Sequence, residues 1–344
     1  MRRMPSMDAS CSRNTTLLWA AERLAPLRLQ IERRPAQHRL SKTSTFVVCH
    51  NNPKKGLPAS TTSWTPFRWE LKPKYDSKFV TVGKYRAHYL AAGTTGNKDI
   101  LILASQVVVA RSYRSTLNAL SRKHRVICVE LPGCGRSDSV QSPFTHQQSA
   151  EWLTQFMKQL DIQSAVVIGH SCSGPPAIAL AASHSDRVSH LVLMSSIGVM
   201  QRALAKVVVG RVHDALLELQ YSIPGVFHGL YNVPFQPGNF WYWVRMSSTL
   251  DITSEAAAVR VPTLLCWGKH DHTCRLPAGR RFAEVMPTSQ LYISEQGSHN
   301  WLIQRPEEFA EVVSTFIDGT EASGRTENVR EQALQGTMLP PELG

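Results

Sequence analysis

Ser171 lies in the run Gly169-His170-Ser171-Cys172-Ser173-Gly174, directly after the apolar residues 165–168. An apolar strand that ends in Gly-x-Ser and turns at once into a helix reads as a nucleophile elbow. The turn is so sharp that the serine takes a strained backbone, and its neighbours two before and two after must be small. Gly169 and Ser173 meet that demand. Moving the frame to Cys172 puts His170 at a small position, and moving it to Ser173 puts Pro175 there. Ser171 is therefore the candidate nucleophile. A serine hydroxyl attacks poorly at neutral pH. It needs a base within hydrogen-bond reach and an acid that orients the base. The chain has 13 histidines, so residue type alone does not select that base.

The elements that must position this serine are legible as alternating strands and helices. Residues 79–82 and 85–90 read as a hairpin around Gly83-Lys84, and 100–104 and 125–130 as buried strands. Residues 147–160 carry helical periodicity through Trp152, Phe156, Met157 and Leu160. Strand 165–168, the elbow and an Ala-rich helix from about 176 to 183 follow, then strands at 191–194, 262–267 and 290–293. A helix near 278–285 and another opened by Pro306-Glu307-Glu308 complete the pattern. This alternation predicts an α/β fold, a mostly parallel sheet with helices on both faces. Such sheets place chemistry beyond the C-terminal strand ends. Residues 197–260 are too long for a simple crossover and read as an inserted helical cap. The body is then 66–196 and 261–318, with 319–344 a disordered tail.

Composition narrows the function. The net charge of +12 is concentrated at one end: residues 1–60 hold eleven Lys/Arg against Asp8, Glu22 and Glu32, leaving +4 for the rest. A nucleic-acid surface needs its charge on the folded body, so no nucleic-acid partner is expected. Residues 1–65, rich in Ser and Arg and poor in acids, read either as an organelle transit peptide or as a disordered extension. The protein is accordingly expected in the cytoplasm, or in a mitochondrion or plastid if the leader targets it. No apolar run reaches the length of a membrane span. Seven cysteines without a CxxC pair suit free thiols. Gly133-Cys134-Gly135 lacks the third glycine of a dinucleotide fingerprint and the Lys of a phosphate loop, so it reads as a tight turn. No cofactor is expected. His270 and His272 lack supporting ligands in the sequence, so no metal is expected either.

In these segments the chain resembles the α/β-hydrolase superfamily, specifically its capped esterase- and lipase-like branch. The likeness spans about residues 70–318. It rests on His88-Tyr89-Leu90, Leu131-Pro132-Gly133-Cys134-Gly135-Arg136-Ser137, Gly169-His170-Ser171, Trp267-Gly268-Lys269-His270-Asp271 and Gly297-Ser298-His299, in that order. The resemblance implies the order Ser, Asp, His. It places the acid at Asp271, four residues beyond strand 262–267, and the base at His299, after the last strand. Glu295 stands near enough in sequence to tune that imidazole. The resemblance also implies an oxyanion hole from the backbone N–H groups of Gln106 and Cys172. Here the chain departs from its relatives, carrying Ala104-Ser105 where they usually carry His-Gly.

The expected activity is a serine hydrolase that cleaves an ester or related acyl bond of a small hydrophobic substrate through an acyl-enzyme. The eight aromatics between Tyr221 and Trp243 serve mostly to seat the cap. Tyr231, Phe240, Trp241 and Trp243 are the candidates for a substrate pocket, with Val107 and its apolar neighbours 108–110 opposite. The same triad serves C–C bond hydrolases, iminopeptidases and acyltransferases. A hydrolase-like binding protein without catalysis is the alternative of another class.

Overall fold

A computed structural model of the chain describes residues 75–94, 98–218 and 231–335, with side chains as far as 320. The basic leader at 1–65, and Tyr221 and Phe227 of the aromatic run, lie outside the described residues.

Eight strands form one sheet: β1 (Asp76–Val82), β2 (Tyr85–Ala92), β3 (Asp99–Leu103), β4 (Arg125–Val129), β5 (Ala165–His170), β6 (Val188–Met194), β7 (Thr263–Gly268) and β8 (Ser289–Ser294). Their spatial order is β1-β2-β4-β3-β5-β6-β7-β8. The hairpin β1/β2 pairs antiparallel with Val82 opposite Tyr85, and β2 meets β4 antiparallel. From β4 to β8 every pairing is parallel. This is the predicted architecture, with each strand within three residues of its expected ends.

The central residues of the parallel strands are largely apolar on both sides because helices cover both faces. Successive residues of one strand point to opposite faces. Leu101, Leu103, Val167, Leu193 and Leu265 join one core with Trp152, Phe156 and Phe282. Ile100, Ile102, Ile168, Val192 and Cys266 join the other with Tyr113, Trp301 and Phe309. The helices are α1 (Arg114–Leu120), α2 (His146–Gln159) and α3 (Gly174–Ser183), then α8 (Leu276–Val285), α9 (Trp301–Gln304) and α10 (Pro306–Gln335). Thr145 and Gln148 close a capping box at the start of α2.

Between β6 and β7 the chain leaves the sheet and forms α4 (Leu204–Glu218), α5 (Asn232–Phe235), α6 (Pro237–Thr249) and α7 (Thr253–Ala258). These helices occupy the stretch read as a cap. One expectation needs correction. Helix α10 continues to Gln335, through most of the segment read as a disordered tail. No helix among the described residues is long and apolar enough to cross a membrane.

Candidate active site

Ser171 sits one residue beyond β5, whose neighbours in the sheet are β3 and β6. Its φ is +55°, the left-handed conformation that strains a non-glycine residue. Gly169 permits this turn. A Cβ there would lie 2.8 Å from both Ala177 Cβ and the Ser173 carbonyl oxygen. Ser173 fills the second small position and donates its hydroxyl to the Ala104 carbonyl at 2.6 Å, tying the elbow to the end of β3.

Two further loops converge on the serine. Asp271 lies three residues past β7 and His299 five past β8. Ser171 Oγ donates to His299 Nε2 at 3.1 Å, and His299 Nδ1 donates to Asp271 Oδ2 at 3.0 Å. The Cys274 N–H donates to Asp271 Oδ1 at 2.7 Å, which fixes the carboxylate plane. All three side chains are buried. Burial by itself lowers the pKa of His299. The charge and hydrogen bond of Asp271 outweigh it and hold the imidazole above its ordinary value, with Asp214 adding and Arg211 opposing. Burial pushes the Cys172 thiol up to about 12, so it stays protonated and is no rival nucleophile. Glu295 does not reach the imidazole; it pairs with Lys269 at 2.6 Å.

The arrangement of strands, elbow and converging loops has a counterpart in known proteins. The family model for the alpha/beta hydrolase fold matches residues 93–217. The chain has the α/β-hydrolase fold. It is 25% identical to an uncharacterised hydrolase, YugF, of Bacillus subtilis over 262 residues, covering 69% of this chain and 94% of that protein. It is 29% identical to a 2-hydroxymuconate semialdehyde hydrolase of Pseudomonas putida over 241 residues, 62% of this chain and 82% of that one. Among solved structures, the enol-lactonase of Burkholderia xenovorans superposes with a TM-score of 0.61 at 23% identity, covering 70% of this chain and 100% of that one.

In this chain the loop after β3, where Ala104-Ser105 stands, is anchored by side chains. The Ser105 N–H donates to the Tyr113 hydroxyl at 3.0 Å, and the Val108 N–H to the Ser105 carbonyl at 2.9 Å. Tyr113 O–H in turn donates to His170 Nδ1 at 2.7 Å. His170 Nε2–H donates to the His299 carbonyl at 3.2 Å. A carbonyl only accepts, so this bond fixes the His170 tautomer. Burial, then the neighbouring His299, pushes the pKa of His170 well down and keeps it neutral. Burial pushes the Tyr113 phenol well up and keeps its proton. One chain of hydrogen bonds thus joins the base loop, the elbow and the loop carrying Gln106. The sequence reading missed Tyr113 and His170 as parts of the site. Only the position of His170 between Gly169 and Ser171 hinted at it.

The candidate substrate residues separate. Val107 and Trp243 pack with Cys172, the residue after Ser171, and with Ile197 and Cys274. Trp241 is 60% exposed, so it lies on the surface and not in an enclosed pocket. Tyr231 stacks on Phe235 at 4.6 Å and Phe240 meets Trp241 edge-on at 5.2 Å, within the cap. Val108 and Ala110 pack into the core beneath the sheet instead of facing the site. Gln106 Nε2 and Trp243 Nε1 are buried donors without a hydrogen-bond partner among the described residues.

The turn at 133–137 is tied to the helices between β6 and β7. The Gly135 N–H donates to Asn232 Oδ1 at 2.8 Å, and Gln236 Nε2 donates to the Ser137 carbonyl at 3.2 Å. Buried Glu130 anchors the turn, accepting from the Arg136 and Ala110 N–H groups and from His88 Nδ1. Two groups of side chains lie close enough to hold a cation: His213, Asp214 and His272, and Asp214, Asp271 and His299. The sequence reading found no carboxylate to support His272; helix α4 supplies Asp214. Both Asp214 oxygens already accept hydrogen bonds from residues 272 and 273. His270 belongs to neither group.

Proposed function

We infer that this α/β-fold hydrolase is a serine hydrolase acting on an ester or related acyl bond of a small hydrophobic substrate. The reading is carried by one observation, the unbroken chain from Ser171 Oγ through His299 to Asp271 at 3.1 and 3.0 Å. Ser171 Oγ attacks the carbonyl carbon while His299 Nε2 takes its proton. Asp271 stabilises the imidazolium that forms and keeps the ring in the useful tautomer. The backbone N–H groups of Gln106 and Cys172 receive the oxyanion. His299 then protonates the leaving group. Water, activated by the same imidazole, releases the acyl group and restores Ser171. Val107 and Trp243 form the apolar wall. Trp241, 60% exposed, lies outside that wall.

A second reading, hydrolysis of a C–C bond beside a ketone, is favoured by the likeness to 2-hydroxymuconate semialdehyde hydrolases. The buried donors Gln106 Nε2 and Trp243 Nε1 suit a substrate with a further oxygen acceptor. The test is labelling with a fluorophosphonate probe, wild type beside Ser171→Ala. Labelling of the wild type alone is expected, and labelling of neither overturns the serine mechanism. Turnover of p-nitrophenyl esters against a vinylogous 1,5-diketone then separates the two bonds.

A further inference from the structure

Helix α4 is built the wrong way round for a helix seated by its apolar stripe. Its buried residues are Val207, Gly210, Asp214 and Glu218. Val209 and Leu216 on its outer face are 68% and 63% exposed. An amphipathic helix normally turns its apolar side chains inward. Here two carboxylates, one helical turn apart, face the body.

Each carboxylate holds one of the two loops that converge on Ser171. Asp214 is wholly buried. It accepts from the N–H groups of His272 and Thr273 at 3.2 and 2.9 Å, from Thr273 Oγ1 at 2.6 Å and from His272 Nδ1 at 3.0 Å. Those residues directly follow Asp271. Glu218 accepts from Ser298 Oγ at 3.1 Å and from the N–H and side-chain amide of Asn300 at 3.2 and 2.6 Å. Those residues bracket His299. Arg211, two turns earlier, donates to Glu218 Oε2 at 3.1 Å and sets its rotamer. Gly210 lets the helix approach this closely, since a Cβ there would lie 2.1 Å from the His272 carbonyl oxygen.

We propose that Asp214 and Glu218 are positioning residues that clamp the acid loop and the base loop to one cap helix, so that Asp271 and His299 are in register only while α4 is seated. The inference rests on the serine-hydrolase reading above. The cap then does more than cover a substrate. Its seating and the competence of the triad are one event, because the same hydrogen bonds serve both. Polar seating makes this coupling direct. Lifting α4 gives up little apolar contact, but it strips both loops of their buried acceptors.

The two acids differ in a second respect. Asp214 lies within 4.8 Å of the ligand atoms of Asp271 and His299, and its charge acts on the imidazole. The charged and titratable groups facing His299 are Asp271 on the acid loop, Asp214 and Arg211 on α4, and His170 at the end of β5. Glu218 lies across the base loop and acts through geometry.

The experiment measures fluorophosphonate labelling and ester turnover against pH for wild type, Asp214→Asn, Glu218→Gln and an outer-face control, Val209→Ala, with thermal unfolding of each. Asp214→Asn is expected to lower kcat by about 10- to 100-fold with little change in KM, the cost of a small misplacement of catalytic groups. It is also expected to move the acid limb of the pH profile to lower pH, because a raising charge is gone. Glu218→Gln is expected to lower kcat by about tenfold with the limb unmoved. Val209→Ala is expected to match wild type. If Asp214→Asn does not fold, Glu218→Gln alone decides. Folded variants that label and turn over like wild type overturn the clamp and leave the serine mechanism standing. A wild type that does not label overturns that mechanism itself.

Discussion

Replacing Asp271 with asparagine changes one atom and tests the electrostatic half of the site. Asp271 and His299 are buried, and the bond between them is 3.0 Å. In the transition state His299 carries a full positive charge. Two unit charges roughly 4 Å apart interact by about 4 kcal/mol at an effective dielectric constant of about 20. Asp271→Asn forfeits that interaction, which corresponds to roughly a thousandfold in rate. A second effect has the same sign. The Cys274 N–H holds the side-chain oxygen at Oδ1, so the introduced amide nitrogen faces His299 Nδ1. Nδ1 must then accept, the ring proton moves to Nε2, and Ser171 loses its base. A fall in kcat of about 10³- to 10⁴-fold is expected. The pH profile supplies an independent sign. The base must be neutral, so the rate climbs as pH rises through the His299 pKa. Burial depresses that pKa and Asp271 raises it above the ordinary value. Removing the carboxylate therefore shifts the acid limb to lower pH. The assay is kcat and the fluorophosphonate labelling rate from pH 5 to 9. A loss below tenfold, or a limb that stays in place, refutes the assignment of Asp271 as the orienting acid.

Two more substitutions probe the scaffold. Tyr113→Phe leaves the Ser105 N–H and His170 Nδ1 buried without their partner, which costs about 1–3 kcal/mol of stability. It is expected to lower both the melting temperature and kcat, measured by circular dichroism and ester turnover; an unchanged kcat removes Tyr113 from the oxyanion loop's support. Gly169→Ala places a methyl group against Ala177 and the Ser173 carbonyl, an overpacking cost of about 1–3 kcal/mol. Fluorophosphonate labelling of Ser171 is expected to vanish before the fold does, with thermal unfolding as the comparison.

The sheet was legible because its signals are local. Short β-branched and leucine-rich runs separated by helical periodicity admit one kind of sheet, and the observed strands lie close to those expected. Ser171 was legible for a similar reason, since the small-residue demand of the elbow spans only five positions. Asp271 and His299 needed more than the local sequence. Their roles followed from a resemblance and their order in the chain, and the fold brings them together. Trp241 went astray because aromatic identity does not reveal which way a helix turns: it is exposed while Trp243, two residues on, is buried.

Helix α4 shows the limit most clearly. Valines and leucines alternating with Asp214 and Glu218 would place the acids in water by pattern alone. The tertiary structure reverses this, because the loops after β7 and β8 present N–H and O–H groups that only buried acceptors satisfy. Sequence by itself determined the succession of strands and the strained turn at Ser171, since each depends on neighbours within a few residues. Which side chains meet across 58 residues, as Asp214 and His272 do, was decided only when the sheet brought its loops to one edge.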